Sequence, residues 1–132
     1  MKLTAYSEYR IKNSAAQWSV DKDFFDPIYN YLVHGFNPGS FFTALLANDA
    51  MAAIQRSHPA NTIPALKNLT GWIQDSAPKA AFGTYEKVDA WSRMTEEDRR
   101  IHLEDCRLIF SEREEVEMAL RGRVAPPEPI MW

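Results

Sequence analysis

The side chains best able to act as base, nucleophile or soft metal ligand are three histidines, His34, His58 and His102, and one cysteine, Cys106. Their spacing supports no zinc site. His102 stands one helical turn before Cys106, which sets an imidazole beside a thiol and is the one nucleophile–base geometry that the spacing offers. The plainer reading makes Cys106 a small buried hydrophobe, so no catalytic residue and no cofactor are assigned. His34 precedes Gly35, a helix-ending glycine, where a ring nitrogen can bond terminal carbonyls.

Asn48 and Asp49 are the sharper oddity, because they interrupt an otherwise apolar stretch. A carboxylate buried without partners is costly, so Asp49 must reach a donor or face a cleft. In the first case it accepts hydrogen bonds from backbone, an arginine or an indole and locks helices in register. In the second it belongs to a ligand site and its carboxyl is raised by desolvation. Asn37-Pro38-Gly39-Ser40 places free backbone N–H groups at a helix start, a geometry that can hold an anion. It lacks the lysine and the spacing of a phosphate loop, and a cap with a tight turn is the ordinary reading.

Glu112, Glu114, Glu115 and Glu117 surround Arg113 and make an acidic helix face, suited to docking on a basic protein surface or to plain solvation. Arg99, Arg100, Arg107 and Arg113 can form helix salt pairs with the neighbouring acids. The chain ends in Ile130, Met131 and Trp132 on a proline-rich arm, and such an end either packs back on the domain or anchors a partner.

Helices must position these groups. Asp26 as N-cap and Pro27 as first residue open a helix that closes at Gly35. From Ser40 to Arg56 there is no helix breaker and almost no polar face, which predicts a central helix apolar all round. Thr62 caps a helix with Ile63, Leu66, Leu69 and Ile73 in a stripe, ended by Pro78, and Gly71 within it implies close packing. Thr84 caps a short helix with Tyr85, Val88 and Trp91, and Thr95 with Asp98 resembles a capping box for a last helix running to about Arg121. Residues 3–11 carry a weak period of two, which suits a short strand or an extended arm as well as a short helix.

The expected fold is therefore all-α: a single-domain bundle of about five helices over residues 1–122, with an N-terminal strand or arm and a proline-rich extended tail over 123–132. The chain has 132 residues, 45% of them hydrophobic, enough to bury roughly two-thirds of the unfolded surface without metals or disulfides. Fifteen basic against 18 acidic side chains give a formal charge of −3, which argues against affinity built on phosphate neutralisation. The N-terminus has no signal-peptide pattern, and the longest nearly uncharged stretch is broken by glycine and proline before it could span a membrane. With its single unpaired cysteine, the chain is expected in a reducing, cytoplasmic compartment.

From His34 to Trp91, the motifs His34-Gly35-Phe36-Asn37-Pro38-Gly39-Ser40-Phe41-Phe42, Leu45-Leu46-Ala47-Asn48-Asp49, Ala65-Leu66, Trp72-Ile73, Pro78 and Gly83-Thr84-Tyr85-Glu86-Lys87-Val88 follow in order. That order resembles a family of small phage and prophage proteins. The resemblance carries over no catalytic residue and draws attention to Gly39, Asn48 and Asp49. It implies a non-enzymatic protein that acts by protein–protein binding, such as an anti-CRISPR-like inhibitor of a bacterial antiviral defence system. The expected partner is then a host or phage protein, or a second copy in a homodimer, in the host cell cytoplasm. Two alternatives stand beside it. One is a small-ligand or enzymatic site around Asn48 and Asp49. The other is a DNA-binding regulator, which needs Arg93, Arg99, Arg100 and Arg107 gathered on one surface.

Overall fold

The computed structural model describes residues 3–106, and every regular element in them is helical. In chain order these are α1 (Ala5–Gln17), α2 (Lys22–His34), α3 (Ser40–Leu46), α4 (Ala50–Arg56), α5 (Ile63–Ser76), a 3-10 turn (Lys79–Ala81), α6 (Tyr85–Arg93) and α7 (Glu96–Asp105). The described residues are thus all-α, with seven α-helices where five were expected. The continuation of the last helix to Arg121, the acidic run of Glu112, Glu114, Glu115 and Glu117, and the tail with Trp132 lie outside the described residues.

Hydroxyl and carboxylate caps set most helix starts. Thr62 accepts from the Ala65 N–H at 3.2 Å, Thr84 from Lys87 at 3.1 Å and Thr95 from Asp98 at 3.2 Å, as their positions in the sequence imply. Gly35 closes α2 in the left-handed region at φ 70°, and the Phe36 N–H reaches back to the Asn30 carbonyl.

One open reading is decided and two expectations need correction. The segment with period two is α1, capped by Thr4, whose hydroxyl accepts from the Ser7 N–H at 3.2 Å. Ser7, Ile11 and Ala15 bury at a spacing of four, and a helix satisfies its own backbone where a single strand would need a partner. Second, α2 begins a turn before Pro27, at Asp21 as cap. The early start buries Phe24 and Phe25, each worth about 1.5–3 kcal/mol, which offsets the roughly 3 kcal/mol cost of a proline within a helix. Third, Ser40 to Arg56 is not one helix. Asn48 turns left-handed at φ 63°, and α3 and α4 fold against each other as a hairpin.

That hairpin lies at the edge of the domain, with Met51 77% and Ile54 53% exposed, so the central apolar helix is α2 instead. Phe24, Phe25, Ile28, Tyr31, Leu32 and Val33 of α2 are all buried, and α2 packs on α6 and α7. Long-range hydrogen bonds peg the other elements to it. The Tyr31 hydroxyl donates to the Ala81 carbonyl at 2.7 Å, and the Trp91 indole donates to the Tyr31 carbonyl at 3.1 Å. The Trp72 indole donates to the Ser14 hydroxyl at 2.9 Å and joins α5 to α1. Buried, satisfied polar groups of this kind fix one arrangement of a core that apolar packing alone would leave degenerate. Among the described residues no helix is long and apolar enough to cross a membrane.

Candidate functional site

The junction of α3, α4 and α5 concentrates the unusual features of the molecule. Asn tolerates the left-handed backbone better than other side-chain-bearing residues, so Asn48 ends α3 and lets Asp49 begin α4 as its N-cap. Asp49 Oδ1 accepts from the Ala52 N–H at 3.2 Å, and Oδ2 accepts from the Tyr85 hydroxyl at 2.6 Å. Arg56, at the far end of α4, adds a positive charge near this pair and donates to the Ser40 carbonyl at 3.3 Å. The Gly83 N–H donates to the Leu46 carbonyl at 2.7 Å, so the turn before α6 is also fastened to the hairpin.

These contacts decide the electrostatics. The Tyr85 hydrogen bond, and after it the Ala52 N–H, hold the Asp49 carboxyl below its ordinary value. The same bond pushes the Tyr85 phenol up. The small-ligand reading expected a carboxyl raised by desolvation, whereas the hydrogen bonds from Tyr85 and Ala52 lower it and clasp α4 to α6.

Two clefts share the wall formed by Leu45, Asn48 and Thr70, and Asp49 lines neither. One, of about 300 Å³, runs between α4 and α5 and is lined mainly by Ala50, Ala53, Ile54, Ile63 and Leu66, with Lys67 as its charged group. Ile63 is 62% exposed at its mouth, although the helical stripe of α5 placed it with the core residues. The other, of about 320 Å³, lies between the α3–α4 turn, α5 and the segment before α6, and adds Ile73, Gln74, Phe82 and Gly83 to the shared wall. Sequence reasoning singled out Asn48 but missed Gln74 and Phe82. The signal for Gln74 is weak, because a polar residue on an amphipathic helix is ordinarily only its solvated face.

The remaining candidates are placed apart from these clefts. Asn37 accepts the Gly39 N–H at 2.9 Å in a tight turn, and Gly39, at φ 96°, begins α3 in open space. His34 stacks on Phe36 at 5.3 Å, His102 tilts against Trp91 at 5.7 Å, and His58 Nδ1 accepts from the Ala60 N–H at 3.0 Å within its own turn. Burial and the neighbouring Asp105 push the Cys106 thiol up, which keeps it protonated and opposes a nucleophilic role. No group of three or more potential metal ligands forms among the described residues.

Those of the arginines named for a DNA surface that are among the described residues each have a local partner. Arg93 pairs with Asp89 at 3.2 Å, and Arg100 pairs with Glu97 at 2.7 Å. Arg107 lies outside the described residues. Arg99 is buried, donates to the Met94 carbonyl at the end of α6, and lies against Gly35 at the end of α2. Its charge is thus set between two helix C-termini, whose carbonyl dipoles favour a cation.

Comparison of the chain with protein-family models, curated proteins and solved structures finds no match.

Proposed function

We propose that this chain is a non-catalytic protein-binding module whose docking surface is the groove between α4 and α5. The observation that carries the reading is the exposed apolar rim of that groove, where Ile54 and Ile63 are 53% and 62% exposed above a floor of Ala53 and Leu66. Contiguous exposed apolar surface flanked by polar groups is what protein-recognition sites present. The groove fits one mode of recognition, an amphipathic helix laying a large apolar side chain between two helices. Lys67 lines the groove, with no acidic side chain in the lining, so the complementary helix carries an acidic residue beside its apolar anchor. The resemblance to phage proteins supports a bacterial host or phage protein as that partner, and inhibition of an antiviral defence system as the biological form of the contact.

Tagged chain and an Ile54→Glu/Ile63→Glu variant, each mixed with extract of phage-infected bacteria, test this. A protein retained by the native chain, lost by the variant, and crosslinked to α4 or α5 through an acidic amphipathic helix is the expected result. Identical capture by both chains overturns the groove as the docking surface. Light scattering that shows a dimer abolished by the variant replaces the foreign partner with a second copy.

A further inference from the structure

The groove of Ile54 and Ile63 fits a helix with an acid beside its apolar anchor, and one helix of this chain has that form. We propose that α7 of a second copy docks there, with Ile101 as the anchor. The inference rests on the reading of the α4–α5 groove as a helix-binding site and names an occupant for it. Ile101 is 51% exposed on α7. Asp98, three residues before it, and Asp105, four after it, are exposed on the same side of the helix. Neither has an ion pair among the described residues, whereas Glu97 is taken by Arg100 at 2.7 Å.

The spacing agrees on both sides of the contact. Lys67 stands four residues after Ile63 on α5, as Asp105 stands after Ile101 on α7, so each helix sets its charge one turn, about 5 Å, from its apolar group. Ile101 set against Ile63 brings Asp105 to Lys67 when α7 runs parallel to α5, and Asp98 to it when α7 runs antiparallel. The other exposed large apolar groups do not offer this form. Met51, Ile54 and Ile63 belong to α4 and α5 themselves, the Trp18 ring lies over Gly71, Phe36 stacks on His34, and the Tyr85 hydroxyl is bound to Asp49. Nor can α7 fill the groove of its own molecule, since Arg99 and Leu103 hold its other face buried in the domain, where it packs on α2. The groove and the Ile101 ridge are different patches, so the contact is heterologous and each molecule can give one and receive one. A single anchor with one ion pair makes a weak contact, which forms at high concentration and yields to a foreign helix that fills the same groove.

The test is sedimentation equilibrium of the full chain from about 10 μM to about 1 mM, the range in which weak contacts form. The average mass of the native chain should rise above that of the monomer as concentration increases. Ile101→Glu and Ile63→Glu should each hold the chain at the monomer with the melting transition retained. Mixed with each other, these two variants should recover a complex, because Ile101→Glu keeps a native groove and Ile63→Glu keeps a native ridge. Lys67→Glu should weaken association about fivefold. A native chain that stays monomeric throughout overturns the proposal, as does Ile101→Glu associating like the native chain, or a mixture of the two variants that remains monomeric. Ile101→Glu also separates this proposal from the reading of the groove, since its groove is native and it captures a foreign helix whether or not copies associate.

Discussion

At the scale of single residues, Asp49 shows how environment assigns a role. Its carboxylate takes a backbone N–H on one oxygen and the Tyr85 hydroxyl on the other, so the ionised form is the one the fold prefers. A carboxyl held below its ordinary value stabilises the fold above the usual carboxylate range, and that contribution is lost as pH falls through the depressed value. At the other extreme, Tyr85 is raised above 10.0 and donates only while protonated, so its share is lost as pH rises through that raised value. Asp49→Ala should therefore lower the melting temperature most near neutral pH, with the gap to the native chain closing in strong acid. Melting curves across the acid range check this, and a gap that stays constant to the lowest pH would show that the charge of Asp49 contributes nothing. Tyr85→Phe should show a smaller gap that closes in the same direction.

At the scale of elements, capping chemistry was the most legible part of the sequence. Thr62, Thr84 and Thr95 begin helices where their side chains announce them, and Gly35 ends α2, because each effect involves only neighbours along the chain. The α3–α4 break was less legible. Asn48 followed by Asp49 combines a residue that tolerates the left-handed region with a good N-cap, but the apolar run on both sides outweighed that pair of signals. The burial of Arg99 could not be read locally at all, since it depends on the ends of α2 and α6 meeting over α7. Gly71 is an intermediate case, where the sequence implied a close approach but not its partner. A Cβ built there would meet the Trp18 ring, with Cε3 at 2.7 Å, while the Trp18 indole donates to Asp75 at 3.2 Å. Replacing glycine by alanine inside a helix ordinarily gains about 1 kcal/mol, but a forced ring displacement costs about 1–3 kcal/mol. Gly71→Ala should then be neutral to destabilising in the native chain and stabilising in a Trp18→Ala background. A denaturant double-mutant cycle measures that coupling, and additive effects would mean that the ring does not restrain this position.

At the scale of the whole molecule, the division between what holds the fold and what remains available for binding follows from which helix is central. The most apolar run in the sequence suggested Ser40 to Arg56, yet a helix apolar on every side needs neighbours on every side. The described residues instead surround α2, whose aromatic and aliphatic side chains contact α5, α6 and the α3 phenylalanines. Breaking the run into α3 and α4 lets Ala44, Leu46 and Ala53 bury while Met51 and Ile54 face outward. Stability and recognition are thereby carried by different residues. Ile28, fully buried in α2, should cost about 2–5 kcal/mol when replaced by alanine, because the removed atoms leave a cavity in close-packed surroundings. Ile54→Glu and Ile63→Glu change side chains that are more than half exposed and should each alter unfolding free energy by no more than about 0.5 kcal/mol. Urea unfolding followed by tryptophan emission compares them directly, since Trp72 and Trp91 are buried reporters in separate helices. If the glutamate variants lose as much stability as Ile28→Ala, the groove is part of the core and a loss of partner capture would report unfolding. If they unfold at the native midpoint with capture abolished, the exposed rim serves contact and not stability.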